Sequence, residues 1–207
     1  MDKSIKKGRK NPDYYENFFD NYLLDIVDIV KPYFHKLGFT PNIITIIGFV
    51  LGLFSNYLVY TNNFFLFGFF WLASYFFDCL DGNFARTYNQ VTDFGDFLDH
   101  TADLIKILLL VYIGLIYKLP IYKKATIFIL CIASLLLITC IYHLGCIEKL
   151  KKEKNRARSL HFATVLCNDP HKNAHYLPHL GTGTLIFSVT ILVMFYPQID
   201  YLLNKLF

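Results

Sequence analysis

The sequence predicts an all-α fold, a polytopic transmembrane helical bundle of five clear crossings, or six, behind an N-terminal amphipathic helix lying in the interface. Three observations carry this. Of 207 residues, 55% are hydrophobic, 18% aromatic and only 17% charged, too apolar for a soluble domain. Between Lys36 and Asp78 run 41 residues without Asp, Glu, Lys or Arg, enough for two helical crossings. Later apolar runs at 107–117, 125–147 and 180–196 supply three more.

Taken in order, Lys3, Lys6, Lys7, Arg9 and Lys10 form a basic tail suited to anionic headgroups or to solvent. Asp13 and Glu16 are spaced like a capping box. Phe18, Phe19, Tyr22, Leu23, Ile26, Ile29, Val30 and Phe34 then recur at helical spacing, as in a helix lying on a membrane. Pro32, a Gly38 turn and Thr40-Pro41-Asn42 are expected to end it, because proline disfavours helix before itself and suits the first turn of the next. The chain divides into a cytoplasmic tail and interfacial helix, 1–42, and a transmembrane catalytic domain, 43–207, with its signature at 78–103.

Crossing one is expected at about 43–60 and crossing two at about 64–80, joined by Thr61-Asn62-Asn63. Crossing three, about 95–117, carries Asp96, Asp99, Asp103 and Lys106 in its first half. Ala125–Ile147 and Leu180–Tyr196 complete the five, separated by a polar stretch, 148–179, where a short sixth helix would fall around His161–Cys167. With the N-terminus inside, sixteen Lys and Arg lie on the inner side and four on the outer, which places the acidic segment 78–103 at the cytoplasmic face. No signal-peptide pattern precedes the first crossing, which is expected to act as its own signal.

A net charge of +4 with the bases in two blocks gives no nucleic-acid-binding face. Five cysteines, an odd count without a CxxC pair, indicate neither a disulfide framework nor a zinc site and read as small packing residues. His171, His175 and His179 are four apart, but Pro170 and Pro178 interrupt any helix that would align them with Cys167 on a metal. The Lys149, Lys151, Lys152, Lys154, Arg156, Arg158 run reads as a solvated helix end or a contact with anionic lipid. Trp71 and Tyr75 read as packing or lipid-facing residues, and His100 as an interfacial residue or a neighbour of the site.

The chemistry lies in four aspartates. Carboxylates at membrane depth cost at least about 2.5 to 3.5 kcal/mol each, so several together demand a charge partner or a wet cavity. Asp78 and Asp81 lie three apart on crossing two, and Asp99 and Asp103 four apart on crossing three, so each pair shares a helix face. Oxygen donors of this kind suit magnesium or manganese, and a two-metal phosphoryl-transfer site is the natural reading. A divalent-cation transporter using the same carboxylates, or an inactive membrane scaffold, is the rival of another class.

The full pattern, Asp78-x2-Asp81-Gly82-x2-Ala85-Arg86-x8-Gly95-x3-Asp99-x3-Asp103, resembles without a mismatch the signature of the CDP-alcohol phosphotransferase family, class-I CDP-alcohol phosphatidyltransferases. The resemblance extends more loosely to Thr40-Pro41-Asn42 and the interfacial helix. It implies a phospholipid-synthesis transferase that moves a substituted phosphate from a CDP-linked donor to an alcohol and releases CMP. It further implies two divalent cations, Mg or Mn, held by Asp78, Asp81, Asp99 and Asp103, with Asp103 as the catalytic base. Nucleotide contacts are implied for Gly82, Ala85, Arg86 and Gly95. Arg86 offers a planar fork for phosphate, and the small residues allow close approach. CDP-diacylglycerol is the favoured donor and CDP-choline or CDP-ethanolamine with diacylglycerol the alternative. Membrane lipid, and a second copy in a family-like homodimer, are the remaining expected partners.

Overall fold

The structure, a computed structural model, describes residues 6–150, 161–170, 172 and 176–206, which contain eight α-helices and no strand. Helix α1 (Phe18–Lys36) precedes α2 (Pro41–Tyr60), α3 (Phe64–Thr87), α4 (Asp93–Ile113) and α5 (Lys123–Leu150). After these come the short α6 (His161–Leu166), α7 (Thr182–Met194) and α8 (Tyr196–Leu206). Five segments are long and apolar enough to cross a membrane: 41–60, 64–87, 93–118, 123–150 and 177–194. Their number and order match the five clear crossings expected, and the chain is a multi-pass membrane protein. Six-residue α6 falls where the sequence offers a sixth helix, around His161–Cys167, but is far too short to span.

Helix α1 starts later than the capping-box spacing suggests. Asn17 caps it, its Oδ1 accepting from Phe19 N at 3.0 Å while its Nδ2 donates to Pro178 O, Leu180 O and Thr184 Oγ1. One amide thus caps α1 and ties it to the start of α7. Asp13 is taken instead by Lys6 and Arg9. Pro32 does not end the helix, which runs on to Lys36. A proline in a helix removes the bond to the carbonyl four residues back, here that of Asp28, and crowds that carbonyl, a local cost that the helix can carry without ending. The stop comes at Gly38, whose φ of +76° suits glycine: Gly38 N donates to His35 O and Phe39 N to Phe34 O. Phe39 then packs on Phe34 with ring centroids 5.0 Å apart, the apolar contact that accompanies this cap.

Helix α2 packs against both α3 and α4. Thr40 caps it and Pro41 occupies its first turn, as their order in the sequence implies. Its buried stripe is small and polar, with Thr45, Gly48, Gly52, Ser55 and Asn56 at helical spacing. Gly48 and Gly52 let backbones approach: a Cβ at Gly48 would lie 3.1 Å from Phe77 Cβ, and one at Gly52 would meet the Lys106 stem and sit 2.9 Å from Ser74 Oγ. Ser74 Oγ donates to Gly48 O at 2.7 Å and Asn56 Nδ2 to Lys106 O at 2.9 Å, so polar bonds join the three helices inside the apolar layer.

Away from the signature, Val59, Phe64, Phe67, Trp71, Ile113, Ile129, Val193 and Tyr196 form the largest apolar core. Trp71 and Tyr75 are buried, so the packing reading holds for both. Asn62 turns α2 into α3 with a φ of 64°. A π-helical turn, Gly114–Lys118, ends the third crossing, and Lys118 Nζ donates from it to Tyr60 O and Asn62 Oδ1. At the start of α5, Asp200 of α8 accepts from Ala125 N at 3.0 Å.

Two expectations are corrected at the other end. Cys146 and Cys167 form a disulfide rather than serving as separate packing residues. Helix α5 runs beyond Ile147, and α6 folds back against it at Gly145, where a Cβ would overlap the Ala163 carbonyl; this brings the two Cα atoms within 5.2 Å. Lys149, read as part of a solvated run, donates to Cys167 O and Asn168 O. Lys3, Lys151, Lys152, Lys154, Arg156, Arg158, His171 and His175 lie outside the described residues. The basic tail is corrected too. Arg9 does not face headgroups or solvent but is buried on the polar face of α1, bonded to Asp13, Asn21, Asp25 and Asp28.

Candidate active site

Helix α3 continues to Thr87, about two turns beyond the expected end of its crossing, so Asp78 and Asp81 sit inside the helix rather than at its tip. After Tyr88–Val91, Thr92 caps α4, its Oγ1 accepting from Gly95 N at 3.0 Å. Asp99 and Asp103 follow on one face. The fold brings Asp78, Asp99 and Asp103 together: one carboxylate oxygen from each lies within 4.8 Å of the others. Asp81 is held differently. Its Oδ2 accepts from Thr45 Oγ1 at 2.6 Å, and with Asp99 it borders an open cavity of about 250 Å³.

Three carboxylates this close repel one another, and the charge that faces them from the protein is Lys106. Its ammonium lies 2.6 Å from Asp103 Oδ1 and 3.4 Å from Ser74 Oγ, and its side chain is 9% exposed. One ammonium does not balance three carboxylates, and hard oxygen donors in surplus are the set a divalent cation takes. The residues therefore fit a divalent metal centre, with Asp78, Asp99 and Asp103 as the ligands that would share it and Asp81 beside it.

Gly82, Ala85, Arg86 and Gly95 all line the same cavity. At Gly82 a Cβ would stand 3.1 Å from the Arg86 guanidinium, and at Gly95 it would stand 3.1 Å from both Asn42 Oδ1 and Thr92 Oγ1. The two glycines thus keep room beside the arginine and seat α4 against the first turn of α2. Arg86 is oriented by donating its Nε to Gly8 O at 2.7 Å, which leaves its terminal nitrogens toward Gly82 and the cavity. Asp96, in the first turn of α4, lines the cavity as well. His100 is exposed, its Nδ1 donating to Asp96 O at 2.8 Å, with Asp99 Oδ2 4.0 Å away.

Sequence reasoning missed Lys106 as a partner of the aspartates, Thr45 as a donor to Asp81, and the role of α2. Lys106 had a legible signal, since a lysine three residues after Asp103 shares its helix face. So did α2, whose Gly48-x3-Gly52 spacing is that of a close-packed membrane helix. Thr45 had none, because its partner lies 36 residues away.

The family model for CDP-alcohol phosphatidyltransferase matches residues 39–204. This covers most of the chain, including the whole acidic centre and its cavity, and the chain belongs to that family. A 68-residue stretch, 33% of this chain and 36% of the other, is 46% identical to the archaetidylinositol phosphate synthase of Pyrococcus horikoshii. Another of 83 residues, 40% of this chain and 42% of the other, is 35% identical to an uncharacterized protein of Aquifex aeolicus. The chain thus covers well under half the length of each of these two relatives.

Proposed function

We propose that the protein is a membrane phosphotransferase of lipid synthesis that moves a substituted phosphate from a CDP-linked donor to an alcohol and releases CMP. The observation that carries the reading is the meeting of Asp78, Asp99 and Asp103 from two helices beside a cavity that all five remaining signature residues line. Two divalent cations, Mg or Mn, held by Asp78, Asp81, Asp99 and Asp103 would neutralise charge building on the pyrophosphate.

The chain's own residues do the rest. Arg86, fixed through Gly8, binds phosphate oxygens with its free nitrogens. Gly82, Ala85 and Gly95 leave space for the nucleotide. Asp103, whose Oδ1 lies 2.6 Å from the Lys106 ammonium, takes the proton of the acceptor hydroxyl. The hydroxyl oxygen then bonds to the phosphorus bearing the transferred group, and that phosphorus loses its bond to the bridging oxygen, which leaves with CMP. Thr45 holds Asp81 in one rotamer, and Lys106 positions Asp103.

The excess of Lys and Arg on the side of the aspartates supports chemistry at the cytoplasmic face, where lipid and water meet. The similarity to an archaetidylinositol phosphate synthase supports a lipid-linked CDP donor and a polar acceptor such as inositol phosphate. The test is CMP release by detergent-purified protein with Mn or Mg, CDP-diacylglycerol and CDP-choline being offered separately against a panel of alcohols. Release from the lipid-linked donor with a polar alcohol is expected. Release only from CDP-choline with diacylglycerol overturns the assignment of donor. Metal movement into liposomes without nucleotide, and no CMP release, would instead make the aspartates a transport path.

A further inference from the structure

The region matched by the family model begins at residue 39, yet the cavity is not closed by that region alone. Residues before α1 reach it, and three consecutive residues have separable jobs in doing so. Gly8 adopts a φ of +88° and lies so close to the end of α3 that a Cβ would overlap Asn83 and Thr87; its carbonyl accepts from Arg86 Nε at 2.7 Å. Arg9 is the anchor. Its side chain is 1% exposed, and it donates to Asp13 at 2.8 Å, Asn21 at 3.0 Å, Asp25 at 2.5 Å and Asp28 at 3.2 Å. Lys10, next in the chain, lines the cavity together with Arg86, Gly82, Asp81 and Asp99.

The surrounding bonds secure this placement. Lys31 Nζ, itself buried, donates to Lys7 O at 3.2 Å, Asp28 Oδ1 at 2.6 Å and Asn83 Oδ1 at 2.9 Å, joining the segment to α1 and α3 at once. Lys6 pairs with Asp13 and Asp25. A buried guanidinium with this many acceptors is costly to remove from its site, because its acidic partners would be left unpaired. The backbone that carries Lys10 is therefore fixed on both flanks rather than trailing in solvent.

We infer that residues 8–10 are a built-in strap that completes the substrate cavity, and that Lys10 is a substrate-binding residue for a phosphate group. The inference rests on the proposed transfer from a CDP-linked donor. The chemistry follows from the balance of charge in the cavity. Its carboxylates suit metal, while Arg86 and Lys10 are the cations among the described lining residues and suit phosphate oxygens that metal leaves uncovered. Arg86 gives a planar fork and Lys10 a compact point charge, a pair able to hold a pyrophosphate, or one phosphate of the donor and a second phosphate on the acceptor.

Lys10→Ala and Lys10→Arg in the full-length purified protein test this, with Mn present throughout. CDP affinity is measured by calorimetry. KM and kcat are measured for the donor, for inositol phosphate and glycerol phosphate, and for unphosphorylated inositol and glycerol. Lys10 is exposed, so thermal unfolding of both variants should match the wild type. A rise of about tenfold in CDP Kd and donor KM places Lys10 on the donor phosphates. The same rise confined to KM for the phosphorylated alcohols places it on the acceptor phosphate. Lys10→Arg should recover most of either loss. Unchanged CDP Kd and unchanged KM values for every substrate overturn the inference while leaving the proposed reaction standing. A wild-type protein that neither binds CDP nor releases CMP overturns the proposed reaction, and the inference falls with it.

Discussion

Lys106 and Asp103 lie one helical turn apart on α4, and the lysine's ammonium stands 2.6 Å from an Asp103 oxygen while its stem crosses the face of Gly52. The pair thereby connects the acidic centre to the close packing of α2. Lys106 offsets part of the repulsion among Asp78, Asp99 and Asp103 and competes with any cation for Asp103. In Lys106→Met, divalent cations should bind at least about tenfold more tightly, since a neighbouring positive charge is gone. Turnover should fall about 10- to 100-fold because Asp103 loses its orientation. Manganese titration of activity and of binding separates the two effects, and weaker manganese binding would show that Lys106 supports the metal site.

Asp103→Asn should lower kcat by about 10² to 10⁴-fold while CDP affinity changes little, because the amide keeps the shape but cannot take a proton. Asp78→Asn should weaken metal binding first. Single-turnover kinetics beside calorimetric CDP binding checks both, and undiminished turnover in Asp103→Asn removes it from the role of base.

Asp20 of α1 is buried, accepts from Tyr75 Oη at 2.6 Å and from Gly183 N at 3.3 Å, and so joins α1 to α3 and α7. Burial pushes its pKa up to about 6, the Tyr75 and Gly183 bonds opposing that only in part. A carboxyl whose pKa is raised on folding binds its proton more tightly in the folded state, so its contribution to stability falls as pH climbs from about 4 to about 6 and stays low above. Asp20→Asn removes the charge that burial disfavours. Its melting temperature relative to wild type should therefore be more favourable at pH 7 than at pH 5, which differential scanning at the two values measures. The opposite order would mean that the carboxylate is stabilised where it sits.

Gly52→Val should destabilise the bundle by about 1 to 3 kcal/mol, because a side chain there has to displace the Lys106 stem and Ser74. A parallel loss of metal-dependent activity is expected, as the displaced lysine carries Asp103 with it. Thermal unfolding in detergent and manganese titration report on these in turn, and a Gly52→Val protein with unchanged melting and activation would show that α2 and α4 pack more loosely than the structure has them.

What was legible in the sequence was whatever repeats locally. Apolar run lengths gave the five crossings within a few residues at most ends, and Thr40-Pro41 marked the start of α2. The spacing of Asp78, Asp99 and Asp103 showed which residues share helix faces, and these three converge in the fold. Features that depend on distant partners were not legible. Arg9 looks like tail charge until α1 turns Asp25 and Asp28 toward it, and Asn17 is ordinary until Pro178, Leu180 and Thr184, at and just before the start of α7, bring three acceptors to its amide. Cys146 and Cys167 stand in no disulfide-like pattern and meet only because α6 doubles back. Pro32 misled because its cost, a missing bond and crowding at one carbonyl, is local and the rest of α1 outweighs it.

The most direct test of the account is CMP release from a lipid-linked CDP donor by purified wild-type protein as manganese is titrated, beside Asp78→Asn and Asp103→Asn. The account predicts no release without a divalent cation and saturable release with it. It further predicts a shifted or abolished metal dependence in Asp78→Asn, and little turnover at any manganese concentration in Asp103→Asn. CMP release that is independent of metal, or that survives both substitutions, would contradict the assignment of the acidic centre as the site of phosphoryl transfer.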